Sequence, residues 1–168
     1  MTDVPGTPPL PMAVELRPAR ADDHDALFAI WLAAVRATHA FLAPEDIEVY
    51  AAMVRQDYLP AALLTVAAVD GRPAGFLGRA GSHVEALFVA PAYHGHGIGR
   101  RLILDAAAQA GGVALTVDVN EQNSGGVAFY HRLGFTVTGR TAVDPTGRPY
   151  PLLHMGRPAV QPAASAFT

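Results

Sequence analysis

The chain has no cysteine among its 168 residues. That excludes a disulfide framework, thiolate metal ligands and a cysteine nucleophile in one step, and it fits a reducing compartment. Charge is also scarce, at 16% of residues and a formal net charge of -3. So even a balance offers no electrostatic footprint for nucleic acid, and no such partner is expected. No apolar stretch approaches the length of a membrane span. Residues 1–13 hold Pro5, Pro8, Pro9 and Pro11 but no basic segment and no apolar run, so they do not read as a signal peptide. A cytoplasmic protein without a membrane partner is the expectation. The seven histidines are scattered, with no HExxH or H-x-x-x-H spacing, so no metal site is expected.

What is present is a core. Hydrophobic residues make up 51% of the chain, enough for one globular domain. Residues 1–13 read as a proline-punctuated leader, 14–157 as the domain and 158–168 as a loose tail. Residues 14–17 alternate as a first strand ended by Pro18. Asp22 and Asp23 offer N-caps to an amphipathic helix through Leu27, Ile30, Trp31, Ala34 and Val35. A second helix is expected after Pro44, where Glu45, Asp46 and Glu48 suit a helix N-terminus. Residues 63–69 and 73–78 flank Asp70-Gly71 and predict a hairpin. Residues 84–89 form a third apolar run, stopped by Pro91. A helix over 98–110, closed by Gly111-Gly112, leads to a strand over 113–119 and a short helix over 125–133. Two last strands are expected over 135–143 and 150–155. The order is one strand, two helices, three strands, helix, strand, helix, two strands. That pattern predicts an α+β domain with a mixed sheet.

The segment from His94 to Arg101, with Gly95, His96, Gly97, Ile98, Gly99 and Arg100 between, joins a strand to a helix. Glycines allow positive φ and close approach of a ligand to the backbone. The following helix aims free N–H groups and its positive dipole end into the turn. Together they suit a pyrophosphate, with Arg100 and Arg101 adding positive charge. A P-loop needs Gly-Lys followed by Ser or Thr, which is missing, and a Rossmann turn needs G-x-G-x-x-G in an early βαβ unit. An acyl-CoA turn and an ordinary tight strand–helix connection are the remaining readings.

This stretch resembles the GNAT family of N-acetyltransferases. His94, Gly97 and Gly99 fall on that family's pyrophosphate signature, with His94 where Gln or Arg is usual. Asn123, Phe129-Tyr130 and Leu133-Gly134-Phe135 match its second characteristic block, in the family's order and spacing. Further blocks, among them Ile30-Trp31, residues 37–42, 117–123, 137–140 and 149–153, resemble one bacterial subgroup of the family over most of residues 16–155. The resemblance implies a GNAT fold: α/β/α layers around a mixed, mostly antiparallel sheet of about seven strands. A splayed parallel pair, residues 84–89 and 113–119, would bind acyl-CoA. It implies acetyl-CoA as cofactor, with Leu87, Phe88, Val89, the glycine turn, Arg100, Asn123 and Tyr130 around it. It also implies direct transfer of the acetyl group to a primary amine in a ternary complex.

Within that resemblance Tyr130 is the expected general acid for the leaving thiolate, and Asn123 a pantetheine ligand, a helix cap, or both. Glu85 is the expected base. Simple alternation places it opposite Ala86 and Phe88, on the side of Leu87 and Val89. His39 and His154 are alternative bases, since histidine titrates near neutral pH. Trp31, His39, Phe41, Tyr150 and His154 are the expected acceptor-side residues. The acceptor itself, a small molecule or a peptide amine, is open, as are a monomer or homodimer and the use of longer acyl groups. A non-catalytic acyl-CoA-binding module is the alternative function, and a nucleotide-binding protein using the same turn a second.

Overall fold

The apolar runs become the middle of a seven-stranded sheet. Its strands are β1 (Val14–Pro18), β2 (Leu63–Val69), β3 (Arg72–Ala80), β4 (His83–Val89), β5 (Leu115–Asn120), β6 (Thr136–Thr141) and β7 (Leu152–Arg157). They lie in the order β1-β2-β3-β4-β5-β7-β6. The computed structural model describes residues 12–160, so most of the expected leader and residues 161–168 of the expected tail lie outside the described residues. The helices are α1 (His24–Thr38), α2 (Pro44–Met53), α3 (Leu59–Ala61), α4 (Ile98–Gln109) and α5 (Ser124–Arg132), with a π-turn at Val54–Tyr58 between α2 and α3. Among the described residues no helix is long and apolar enough to cross a membrane.

All neighbouring strands are antiparallel except β4 and β5, so the sheet is mixed as expected. The Asp70-Gly71 hairpin is made with φ of 50° and 80°, the left-handed pair that matches strand twist. Buried residues of α1, namely Leu27, Ile30, Trp31, Ala34 and Val35, recur at helical spacing, and Leu27, Ile30, Trp31 and Val35 pack with Val66 and Phe76 on one face. On the other face, Ile98, Leu102, Ile103 and Ala106 of α4 pack with Leu77, Val117 and Phe135. Each helix thus presents one apolar stripe to the sheet.

Two local expectations change. Asp22 and Asp23 do not cap α1 through their side chains. They lie in a 3-10 turn, Ala21–Asp23, and the buried Asp23 accepts two hydrogen bonds from Arg17, at 2.7 and 2.9 Å, and one from the Arg20 N–H at 2.7 Å. β5 begins at Leu115 rather than residue 113, and Val113 stays half exposed.

Two irregularities position the site. β4 and β5 pair only at His83–Thr116 and Val84–Val117 and then part. On the other edge of β4, the register slips where Gly78 pairs with Ala86 and Arg79 with Val84. Glu85 is the extra residue of this bulge, and a bulge re-aims the side chain it inserts. Simple alternation therefore fails: Glu85 faces the same side as Ala86 and Phe88, toward Tyr58.

Candidate active site

Three cavities meet around the parting of β4 and β5. The largest, about 510 Å³, runs along the end of β4, the glycine turn and α5. Gly95 and Gly97 stand at φ of 79° and 77°, where a side chain would be strained. Gly97 starts α4 with no side-chain cap, which leaves the first N–H groups of the helix for an anion. At Gly99 a Cβ would come within 3.1 Å of the Phe129 ring, so glycine is what lets α4 approach α5.

The cations around this cleft are Arg100, as expected, and Arg132, which sequence reading missed. Arg101 is turned away and donates to the Val14 carbonyl at 3.2 Å. His94 sits 2.7 Å from the Val89 carbonyl oxygen through Nε2. Since a carbonyl only accepts, Nε2 carries the proton there. The residue that departs from the family signature thus ties the turn to the end of β4. His96 does not border the cleft. Leu87, Val89 and Asn123 do, and the Asn123 side chain also accepts the Gly126 N–H at 3.1 Å, capping α5. The Ala90 N–H bonds Ala74 of β3. By alternation the polar backbone groups of Leu87 and Val89 therefore face the gap toward β5. Val89's carbonyl is taken by His94, and its N–H is left for a ligand.

The gap itself is a cavity of about 240 Å³, bordered by Glu85, Asp118, Asn120 and Tyr130 among others. Tyr130 is buried, with its ring edge-on to Phe129 at 5.0 Å and Phe135 at 5.2 Å. Burial pushes its phenol upward, so it stays protonated at neutral pH and able to donate.

The third cavity, about 280 Å³, is an aromatic slot between Trp31, Tyr50, Tyr58, Phe76 and Phe88, with Glu85 on its border with the gap. The Tyr58 hydroxyl lies 3.5 Å from Glu85 Oε1. Burial and that carboxylate push the Tyr58 phenol up. A Cβ on Gly78 would lie 1.9 Å from the Tyr58 oxygen, so Tyr58 reaches Glu85 only across a glycine. Asp144 and Pro145, from the loop between β6 and β7, close another side. That loop is clamped to α2: Tyr50 donates to Asp144, Tyr150 donates to Asp46, and Arg148 pairs with Asp46 at 2.8 Å.

The acceptor-side expectations divide accordingly. Trp31 and His39 line the slot. Tyr150 does not; its hydroxyl is spent on Asp46 and on the Ala43 N–H at 3.0 Å, which makes it part of the clamp. Phe41 packs between His39 and Tyr150, with ring centroids 5.3 and 6.2 Å away, and borders none of the three cavities. His154 is also displaced. Its Nδ1 meets Asp118 at 2.6 Å and its Nε2 meets Thr141 at 2.5 Å, and although Asp118 borders the gap, His154 itself borders none of the three cavities. Tyr50, Tyr58 and Asp144 were missed because nothing in their local sequence distinguishes them from packing residues.

The sequence profile of the Acetyltransferase (GNAT) domain matches residues 34–146. The chain is 43% identical over 148 residues to the peptidyl-lysine N-acetyltransferase YjaB of Salmonella typhimurium, covering 86% of this chain and 98% of that protein. YjaB of Escherichia coli K12 is 43% identical over 145 residues, with 86% and 97% covered. The solution structure of apo YjaB from Escherichia coli superposes with a TM-score of 0.82 at 41% identity, covering 89% of this chain and 100% of that one. The Salmonella typhimurium acetyltransferase yncA, solved with its cofactor acetyl-CoA, superposes with a TM-score of 0.62 at 25% identity, covering 93% and 99%.

Proposed function

The chain belongs to the GNAT family of acetyl-CoA-dependent N-acetyltransferases, and from that premise we propose that its acceptor is the side-chain amine of a lysine in a polypeptide. The relatives at 43% identity are enzymes by name, which sets aside the non-catalytic binding module. One observation carries the lysine reading: the aromatic slot ends on Glu85 at the gap between β4 and β5. A lysine stem is four methylenes that gain by leaving water, tipped by a charge that needs a partner. Aromatic walls suit the stem and the ammonium, and Glu85 offers the countercharge. The peptidyl-lysine specificity in the names of the YjaB relatives agrees.

The roles follow from placement. Free N–H groups at the start of α4, with Arg100 and Arg132, hold the pyrophosphate. Bound acetyl-CoA supplies the activated thioester. The acceptor enters as an ammonium and leaves as an amide, so it surrenders two protons while a C–N bond forms and a C–S bond breaks. Glu85 receives the first proton and releases it to solvent. Tyr130 gives its own proton to the sulfur and is restored by the second. The net reaction liberates one proton.

The chain contains no lysine, all 12 of its Lys and Arg residues being arginine, so acetyl-lysine formed in an assay belongs to the acceptor. Incubation with acetyl-CoA and an N-terminally blocked lysine peptide should give Nε-acetyl-lysine by mass spectrometry. Transfer to small amines or free α-amines alone, with none to the blocked peptide, overturns the reading.

A further inference from the structure

Among the described residues, His39 is the only titratable side chain that borders all three cavities. It follows the last residue of α1, and its backbone N–H is fixed to the Val35 carbonyl at 2.8 Å. The ring is fixed as well. Nδ1 lies 2.7 Å from Thr38 Oγ1, and the same oxygen lies 2.8 Å from the Ala34 carbonyl. A carbonyl oxygen only accepts, so the single hydroxyl proton of Thr38 is committed to Ala34. Thr38 then presents a lone pair to His39, and Nδ1 must be the protonated nitrogen. A neutral imidazole has one N–H, so Nε2 keeps its lone pair. Burial lowers the ring's pKa to about 4, which holds it neutral, because a desolvated imidazole resists the charged form.

The ring of His39, which borders the acceptor slot, the cofactor cleft and the gap, thus has an unprotonated nitrogen to offer an attacking amine. It can accept one of the amine's N–H bonds and so aim the amine's own lone pair. We propose that His39 is a catalytic residue of the acetyl transfer, holding the attacking nitrogen through Nε2, and that Thr38 is the positioning residue that sets its tautomer. His39 takes no net proton and ends the cycle in the tautomer in which it began. The proposal concerns transfer to any amine and stands or falls separately from the choice of lysine.

The tautomer can be read without turnover. In the full chain with 15N-labelled histidine, long-range proton–nitrogen NMR should find Nδ1 protonated and Nε2 pyridine-like, with and without CoA. The Thr38→Ser variant should keep that pattern, and Thr38→Val should lose it. With any amine the enzyme accepts, His39→Ala should lower kcat about 10²-fold with the CoA dissociation constant within about threefold. Thr38→Val should cost about tenfold, and Thr38→Ser should recover it. A proton on Nε2 of the wild-type ring, or an undiminished kcat in His39→Ala, overturns the proposal. The wild-type spectrum decides even where Thr38→Val fails to fold.

Discussion

The cofactor cleft and the acceptor slot share Phe88 and His39 as a wall but are built by opposite means. The cleft relies on backbone where it would meet the pyrophosphate and along the parted edge of β4. Its anion site is a turn of glycines at positive φ and the uncapped start of α4, and its wall is the unpaired edge of β4. The slot is made of side chains from α1, the segment between α1 and α2, α2, the π-turn, β3, β4, β5, β7 and the β6–β7 loop. A backbone-made site tolerates a change of side chain. His94 replaces the usual Gln or Arg, and the turn still closes on Val89. A side-chain-made site changes character with each residue, so the proposed choice of acceptor rests there.

Tyr130→Phe gives the sharpest separation between the two halves. Its hydroxyl has no hydrogen-bond partner among the described residues, and its ring is held by Phe129 and Phe135. Removing one oxygen should leave the melting temperature and CoA binding unchanged. Turnover should fall by about 10²-fold or more, the usual scale for losing a general acid. Equal kcat in wild type and variant would remove Tyr130 from the chemistry.

Legibility in the sequence follows the same division. The hairpin at Asp70-Gly71, the glycine turn and the Asn123 cap are local, since each is written in neighbouring residues, and the structure has them where the sequence puts them. The bulge at Glu85 was not legible. It depends on how Gly78 and Arg79 of β3 register against β4, which no alternation within β4 reveals. Tyr58 was invisible for a related reason: it reaches Glu85 because a glycine far along the chain leaves room. Tyr150 and His154 point toward the acceptor side by strand position, yet partners from distant segments, Asp46 and Asp118, claim them. Long-range pairing, not propensity, decided each of these.

The next effect concerns the footing of the slot. Asp23 anchors the start of α1, the helix that carries Trp31, Val35 and His39 into the site. Its hydrogen bonds with Arg17 hold its carboxyl down at about 2. A depressed carboxyl contributes stability that is present above its unfolded value and lost as pH falls through the folded one. Asp23→Asn should therefore cost on the order of 2 kcal/mol at pH 7. The gap to wild type should narrow below about pH 4 and close near pH 2. Urea unfolding at a series of pH values measures it, and a gap that does not change with pH would refute the assignment.

Arg132→Ala tests the cofactor half alone. Arg132 borders the cleft but not the slot, so KM for acetyl-CoA should rise about tenfold while kcat and the acceptor KM stay nearly fixed. Added salt should shrink the difference, since a phosphate contact at this partly open site is screened. An equal rise in the acceptor KM would show that the two halves are not separable.

The smallest expected effect lies in the clamp, and it asks whether the slot's outer wall is shaped by the β6–β7 loop. Tyr150→Phe removes the hydrogen bonds to Asp46 and Ala43, but Arg148 still holds Asp46 at 2.8 Å and Tyr50 still holds Asp144. The loop should stay docked and loosen, not detach. Only the acceptor KM should change, by about threefold, with acetyl-CoA binding untouched because Tyr150 borders no part of the cleft. If Tyr150 itself touched the acceptor, the variant would instead discriminate among peptides by sequence, with some losing tenfold or more and others nothing. A uniform small change across a peptide panel identifies the clamp, and a sequence-dependent one returns Tyr150 to the acceptor site.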